Sequence, residues 1–218
     1  MKHFPALVAA LTLWAFAGVA DDKDGKDGFV TVFNGKDFAG WMGPVENYEV
    51  VEGAIVCKKG KGGTIFTKEE YANFIVRLEF NVPPGGNNGL AIRYPGQGDT
   101  AYVGMCELQV LDDNYDKVRG KLDPRQVHGS AYGMVAAKRG LQKPNGEWNE
   151  QEVTVKGSTL KVVLNGTVIL DTDLSKVDPD TFMGKSKHPG LSRVKGHFGF
   201  AGHGDAVKFR NVRIQKLP

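Results

Sequence analysis

The chain predicts an all-β fold, a jelly-roll β-sandwich, and three features of the sequence predict it. Short apolar runs alternate with period two along most of the length. The 29 glycines fall largely between those runs. Helical periodicity is nearly absent beyond the first twenty residues. Strict alternation buries one face of each strand and wets the other, the arrangement of antiparallel sheets packed in two layers.

The elements follow in order. Lys2 and His3 head an apolar run from Phe4 to about Val19, and the small residues Ala17, Gly18 and Ala20 precede Asp21 and Asp22. A basic head, a short apolar stretch and a small-residue exit describe a secretory signal peptide over 1–20. The run falls short of the ~20 residues that a membrane span needs. Secretion or a periplasmic location is therefore expected, with no integral membrane segment once the leader is removed. Residues 21–28 are polar and read as a flexible segment, and 29–218 as one domain of a size that β-sandwiches reach. The formal net charge of +3 carries no electrostatic footprint for nucleic acid. Cys57 and Cys106 are compatible with a disulfide after export or with two buried thiols.

Strands are read at 48–52 and 54–57, then at 74–81, where Phe74, Val76, Leu78 and Phe80 share one face. Leu90 and Ile92 oppose Ala91 and Arg93, and Leu108 and Val110 oppose Glu107 and Gln109. Val153 and Val155 lead into Leu160, Val162 and Leu164. Asn165-Gly166 then predicts a hairpin, since both residues of such a turn take positive φ. Phe198, Phe200, Phe209, Val212 and Ile214 complete nine or more strands. Short helices are expected near Lys68–Tyr71 and Leu174–Met183. Residues 85–89 read as a glycine-rich tight turn, and 171–195 as a long excursion that is a candidate rim for a site.

Polar side chains in mid-strand positions are the candidate site. By parity Arg93, Glu107, Gln109 and His203, with Arg77 and Glu79, would share a concave face if their strands share a sheet. Carboxylates and amides bond sugar hydroxyls and guanidinium donates in a fixed fork. Trp41 and Trp148 offer flat faces for ring stacking. His128 and Tyr132 sit in a flexible segment, and His128 and His188 read as exposed loop histidines. Asp112, Asp113 and Asp116 are a weak calcium candidate without the spacing of a calcium loop. Glu107-Leu108-Gln109-Val110-Leu111-Asp112 echoes a glucanase strand, but Gln109 stands where a second same-face acid would lie. A classical glycosidase needs two carboxylates flanking the bond. No nucleophile elbow, zinc helix or phosphate loop is present.

At these motifs the chain resembles the 3-keto-disaccharide hydrolase domain family. The resemblance runs from about Phe29 to Leu217. It rests on Phe33-Asn34-Gly35-Lys36-Asp37-Phe38 through Trp41, Phe66–Tyr71, Gly85–Arg93, Glu107–Asp112, Gly129–Gly133, Gly146–Asn149, Gly202-His203-Gly204 and Phe209-Arg210-Asn211. It implies a concanavalin A-like jelly roll of the lectin and glucanase type. It also implies an enzyme acting on a small carbohydrate oxidised to a ketone at C3, whose acidified C2 proton can be removed to expel the C1 substituent. That path needs one base and a stabiliser of oxygen charge in place of two carboxylates. His203, Glu107 and Arg93 are the expected catalytic residues, with either His203 or Glu107 as base. Gln109, Tyr132, Trp148, Asn88 and Trp41 are the expected substrate contacts. A divalent metal held by Glu107 and His203 is left open, as is the oligomeric state. A non-catalytic carbohydrate-binding module with the same sandwich is the alternative.

Overall fold

The computed structural model describes residues 27–218; the signal peptide expected over 1–20 and most of the flexible segment expected over 21–28 lie outside the described residues. Thirteen strands appear among the described residues: β1 (Val30–Thr31), β2 (Trp41–Met42), β3 (Tyr48–Val51), β4 (Ala54–Cys57), β5 (Gly63–Tyr71), β6 (Phe74–Asn81), β7 (Asn87–Tyr94), β8 (Cys106–Leu111), β9 (Asn149–Lys156), β10 (Thr159–Leu164), β11 (Thr167–Asp173), β12 (Gly196–Gly202) and β13 (Lys208–Lys216). Two single-turn helices, α1 (Thr100–Val103) and α2 (Tyr115–Val118), flank β8.

Every pairing is antiparallel, and the strands form two sheets. Eight strands make one, in the order β11-β10-β9-β6-β13-β4-β3 with β1 added on β13; five make the other, in the order β2-β5-β12-β7-β8. The jelly-roll reading holds. Even-numbered residues of β6, β7, β8 and β12 meet between the sheets. Phe74, Phe80, Phe198, Phe200 and Phe209 are wholly buried there. Phe200 stacks on Phe209 with ring centroids 4.0 Å apart, and on Trp41 at 5.3 Å. Truncating one such phenylalanine to alanine is expected to cost about 3–5 kcal/mol.

The Asn165-Gly166 hairpin forms as expected, with φ of 48 and 81, and joins β10 to β11. Three expectations change. Lys68–Tyr71 is strand, the end of β5, because Tyr71 turns inward to pack on Phe74. The turn at the glycine-rich segment closes earlier than read: Gly86 N donates to Pro83 O and β7 already begins at Asn87. Residues 174–185 hold three 3-10 turns in place of a longer helix. Cys57 and Cys106 are both buried free thiols.

Candidate active site

The outer face of the five-stranded sheet has a floor of small side chains. On β7 and β12 the outward positions are Gly89, Ala91, Gly199 and Ala201, and register pairs Gly89 with both Ala201 and Gln109. This floor leaves room for the long side chains of β8 to lie across it. A Cβ at Gly89 would overlap the Glu107 carboxylate, so glycine is required there by close approach alone.

Above the floor, Asn87, Asp99, Ala101, Tyr102, Glu107, Gln109, Leu111, Tyr115, Leu122, Gln126, Tyr132 and His203 line a pocket of about 170 Å³. Glu107 is almost fully buried, and its Oε1 lies 3.5 Å from Nε2 of His203, which is half exposed. The Glu107 carboxylate beside it holds the His203 pKa above the ordinary histidine value; partial burial works against this, and Asp99 and Asp205 add to it. Gln109 Nε2 donates to Asn87 Oδ1 at 2.7 Å. The amide is thereby fixed, with its remaining N–H and its carbonyl oxygen left for a ligand.

A loop closes one wall. Its backbone docks on β8, with Tyr132 N donating to Glu107 O and Gln109 N donating to Ser130 O. Asp123 caps the turn Pro124–Gln126, and Gln126 Oε1 accepts from Asp123 N. The other end of that amide, Nε2, donates to Tyr132 Oη at 3.2 Å. A phenol that accepts a hydrogen bond keeps its own O–H as donor, here at the pocket. Burial raises the Tyr132 pKa, which keeps the phenol protonated.

The structure thus brings Glu107, Gln109, Tyr132 and His203 together and takes the other expected residues elsewhere. Tyr94 pairs with His197 while Ala91 pairs with Gly199, so β7 carries one residue more than its partner. Arg93 sits in this bulge with φ of 51. The bulge breaks the alternation and turns Arg93 inward. Its guanidinium, 2% exposed, donates to Ala72 O, Gly157 O and Arg193 O, and it does not line the pocket. Asn88 shares parity with Leu90 and Ile92, so it points between the sheets; its neighbour Asn87 takes the outward position. Trp41 is core, stacked on Phe200. Trp148 lies on the other sheet beneath the Arg210 guanidinium, 4.0 Å from the ring.

Neither His128 nor His188 is exposed. His128 lies between the sheets, stacked on Phe80, with Nε2 2.9 Å from Gln151 Oε1, and burial lowers its pKa to about 4. His188 is buried between Tyr102 and Phe182. Residues 174–195 back the pocket wall without lining it: Gly190 N donates to Tyr102 O and Met183 N to Gly133 O. Asp112, Asp113 and Asp116 are taken up by Gly85 N, Gly140 N and Arg139. Among the described residues no group of three or more His, Cys, Asp or Glu side chains is placed to hold a metal ion.

Sequence reasoning missed Tyr102 and Tyr115, which stand on the two short helices. The signal for α1 was Asp99 after Gly96-Gln97-Gly98. Its side chain accepts from Ala101 N as a helix N-cap.

A roomier hollow, about 410 Å³, lies on the outer face of the eight-stranded sheet between Arg77, Glu79, Glu150, Glu152, Asn211 and Arg213. Its carboxylates Glu152 and Glu79 are held by Arg77 and Arg210 at 2.7 and 2.6 Å. Charges that neutralise each other offer less chemistry than the Glu107–His203 pair, and we place the site at the smaller pocket.

Comparison with known proteins agrees with this architecture. A family model described as a 3-keto-alpha-glucoside-1,2-lyase-like domain matches residues 28–215. A protein of Bacteroides thetaiotaomicron named 3-keto-disaccharide hydrolase is 29% identical, over 88% of this chain and 79% of its own length. A solved structure from Parabacteroides distasonis, provisionally called a glycosyl hydrolase, is 29% identical with a TM-score of 0.74, covering 87% of this chain and 99% of that one. A carbohydrate binding module of Bacillus subtilis, 12% identical with a TM-score of 0.51, covers 81% of this chain and 96% of its own; that likeness is one of fold alone.

Proposed function

The chain belongs to the 3-keto-alpha-glucoside-1,2-lyase-like family, and from that premise we propose that it is an exported hydrolase or lyase of 3-keto-glycosides or 3-keto-disaccharides. The observation that carries the reading is a single carboxylate, Glu107, paired with a single histidine, His203, at the floor and mouth of one pocket. Two flanking carboxylates, the requirement of ordinary glycoside hydrolysis, do not occur among its lining residues as a pair across an open cleft. Asp99, the other acid of the lining, is an N-cap.

In the proposed reaction neutral His203 takes the C2 proton of the 3-keto sugar, and Glu107 stabilises the imidazolium that forms. The electron pair released at C2 moves toward the C3 carbonyl, whose oxygen becomes an enolate. Tyr132 O–H and the free N–H of Gln109 donate to that oxygen. Collapse of the enolate breaks the C1–O bond, the electron pair leaves with the aglycone oxygen, and His203 returns its proton to it. A lyase stops at the resulting C1=C2 enone. In a hydrolase, water adds to C1 and a proton returns to C2. The exported location rests on the leader read at 1–20.

The test is turnover. Purified protein incubated with 3-keto-trehalose or a 3-keto-glucoside should release the 3-keto sugar, or its enone, faster than the Glu107→Gln/His203→Ala double variant. Equal rates, with divalent metals supplied, would overturn the proposal. The alternative of a binding module needed Trp41 or Trp148 to stack on a sugar. One is buried in the core and the other is covered by Arg210, which favours the catalytic reading.

A further inference from the structure

Tyr115 and Leu122 reach the pocket from a stretch of chain with little structure of its own. Residues 114–123 contain only the single turn α2 and then run without regular structure to the turn at Pro124. Gly120, with φ of 114, has open space around it. A one-turn helix is not stable by itself, so the position of this wall depends on what ties it down.

One tie joins this wall to the loop that bears His203. Arg119 Nη2 pairs with Asp205 Oδ1 at 3.2 Å. Arg119 and Val118 pack closely over Gly85, where a Cβ would press on both. The second oxygen of the same carboxylate, Asp205 Oδ2, accepts from Asn87 N at 3.1 Å, and Asn87 is the residue that orients Gln109. Asp205 stands two residues beyond His203 in the loop joining β12 to β13. That loop is itself held at Gly204 O by Gly60 N. One carboxylate therefore touches the Tyr115–Leu122 wall and the Asn87 end of the floor, from the loop that bears the histidine.

We infer that Asp205 is a positioning residue which, through Arg119, latches the Tyr115–Leu122 wall over the pocket and sets its closure against His203 and Gln109. This rests on the proposed function, since it assigns the latch to the same substrate site. The pair is about half exposed on the arginine side, so it holds the wall without locking it. A sugar can enter when the pair opens and is enclosed when it closes. Asp205 also adds, after Glu107 and Asp99, to the negative surroundings of His203, so its loss should act on turnover as well as on binding.

The test compares Arg119→Met, Asp205→Asn and the double variant with the wild-type full chain. Hydrogen exchange of residues 115–122 is measured without substrate, and kcat and KM with a 3-keto-glucoside. Arg119→Met should speed exchange of that segment and raise KM about two- to fivefold, the size an exposed ion pair supplies, with kcat within about twofold. Asp205→Asn should raise KM by the same factor and also lower kcat. The double variant should have the KM of Asp205→Asn, because both changes remove one interaction. Wild-type exchange and KM in Arg119→Met, or KM effects that multiply in full, would overturn the latch. If the wild type turns over no 3-keto-glycoside, the functional reading fails, and the exchange data alone decide whether the wall is latched.

Discussion

On the eight-stranded face Glu79 and Glu152 each meet an arginine, at 2.6 and 2.7 Å; on the five-stranded face Glu107 meets a histidine at 3.5 Å. Both faces set a carboxylate against a cationic or titratable partner, the first with arginines on neighbouring strands and the second between β8 and the loop after β12. Arginine never gives up its proton in a protein, so the first kind of pair is fixed in charge. Histidine titrates near neutrality, so the second kind can pass a proton back and forth. The surroundings differ in the same sense. The two arginines are 43% and 37% exposed and their carboxylates 32% and 23%, whereas Glu107 is only 5% exposed. Burial, a titratable partner and an oriented phenol are what favour the five-stranded face as the proposed site; on the other face the carboxylates are neutralised by arginines.

The comparison breaks most sharply at Glu107. Glu107→Gln should lower kcat/KM by about 10³, whereas Glu152→Gln on the opposite face should leave it within about twofold. The pH profile sharpens this. His203 must be neutral to accept a proton, so kcat/KM should rise with pH, with a midpoint above the ordinary value of ~6.5. Glu107→Gln removes the main cause of the elevation and should move the midpoint downward. The sign for stability runs the other way: a raised His203 favours the fold below ~6.5, and that contribution is lost as pH rises through the raised value. Next in size is Tyr132→Phe. With Gln126 in place but the donor gone, kcat should fall about a hundredfold while the melting temperature barely moves.

Strand alternation made the fold legible in the residues, and the jelly roll, the hairpin at Asn165-Gly166 and the outward pointing of Glu107 and Gln109 all follow from period two. Parity also assigns Asn88 to the interior once Leu90 is placed there. Arg93 was not legible, because a one-residue bulge against β12 has no signature in β7 alone, and every parity argument fails past it. Tyr102 and Tyr115 were hidden for a different reason. They stand on helices of a single turn, too short to show a helical period. Nor does sequence separate the two outer faces, because Arg77 and Glu79 have the same pattern as Glu107 and Gln109. Which strands share a sheet is decided by long-range pairing, β6 with β9 and β13, β7 with β8 and β12.

Smaller effects belong to the core and the ion pairs. His128, unlike His203, is held neutral, with its pKa at about 4. As pH falls from ~6.5 toward 4 the unfolded chain takes up a proton that the folded chain refuses, and roughly 3 kcal/mol of stability should be lost over that window. Urea midpoints between pH 4 and 7 should show the slope in the wild type and a flatter one in His128→Gln. Arg77→Met should change stability by about 1 kcal/mol or less and leave turnover unaltered, as expected for a pair remote from the proposed site.

The proposed removal of the C2 proton by the Glu107–His203 pair is the central step of the functional reading, and deuterium at C2 of a 3-keto-glucoside tests it most directly. If His203 takes that proton, the labelled substrate should react more slowly than the unlabelled one in kcat/KM, and the released sugar should lose its label at a rate well above that of spontaneous exchange of the free product. Equal rates with the label retained at C2 would contradict the account.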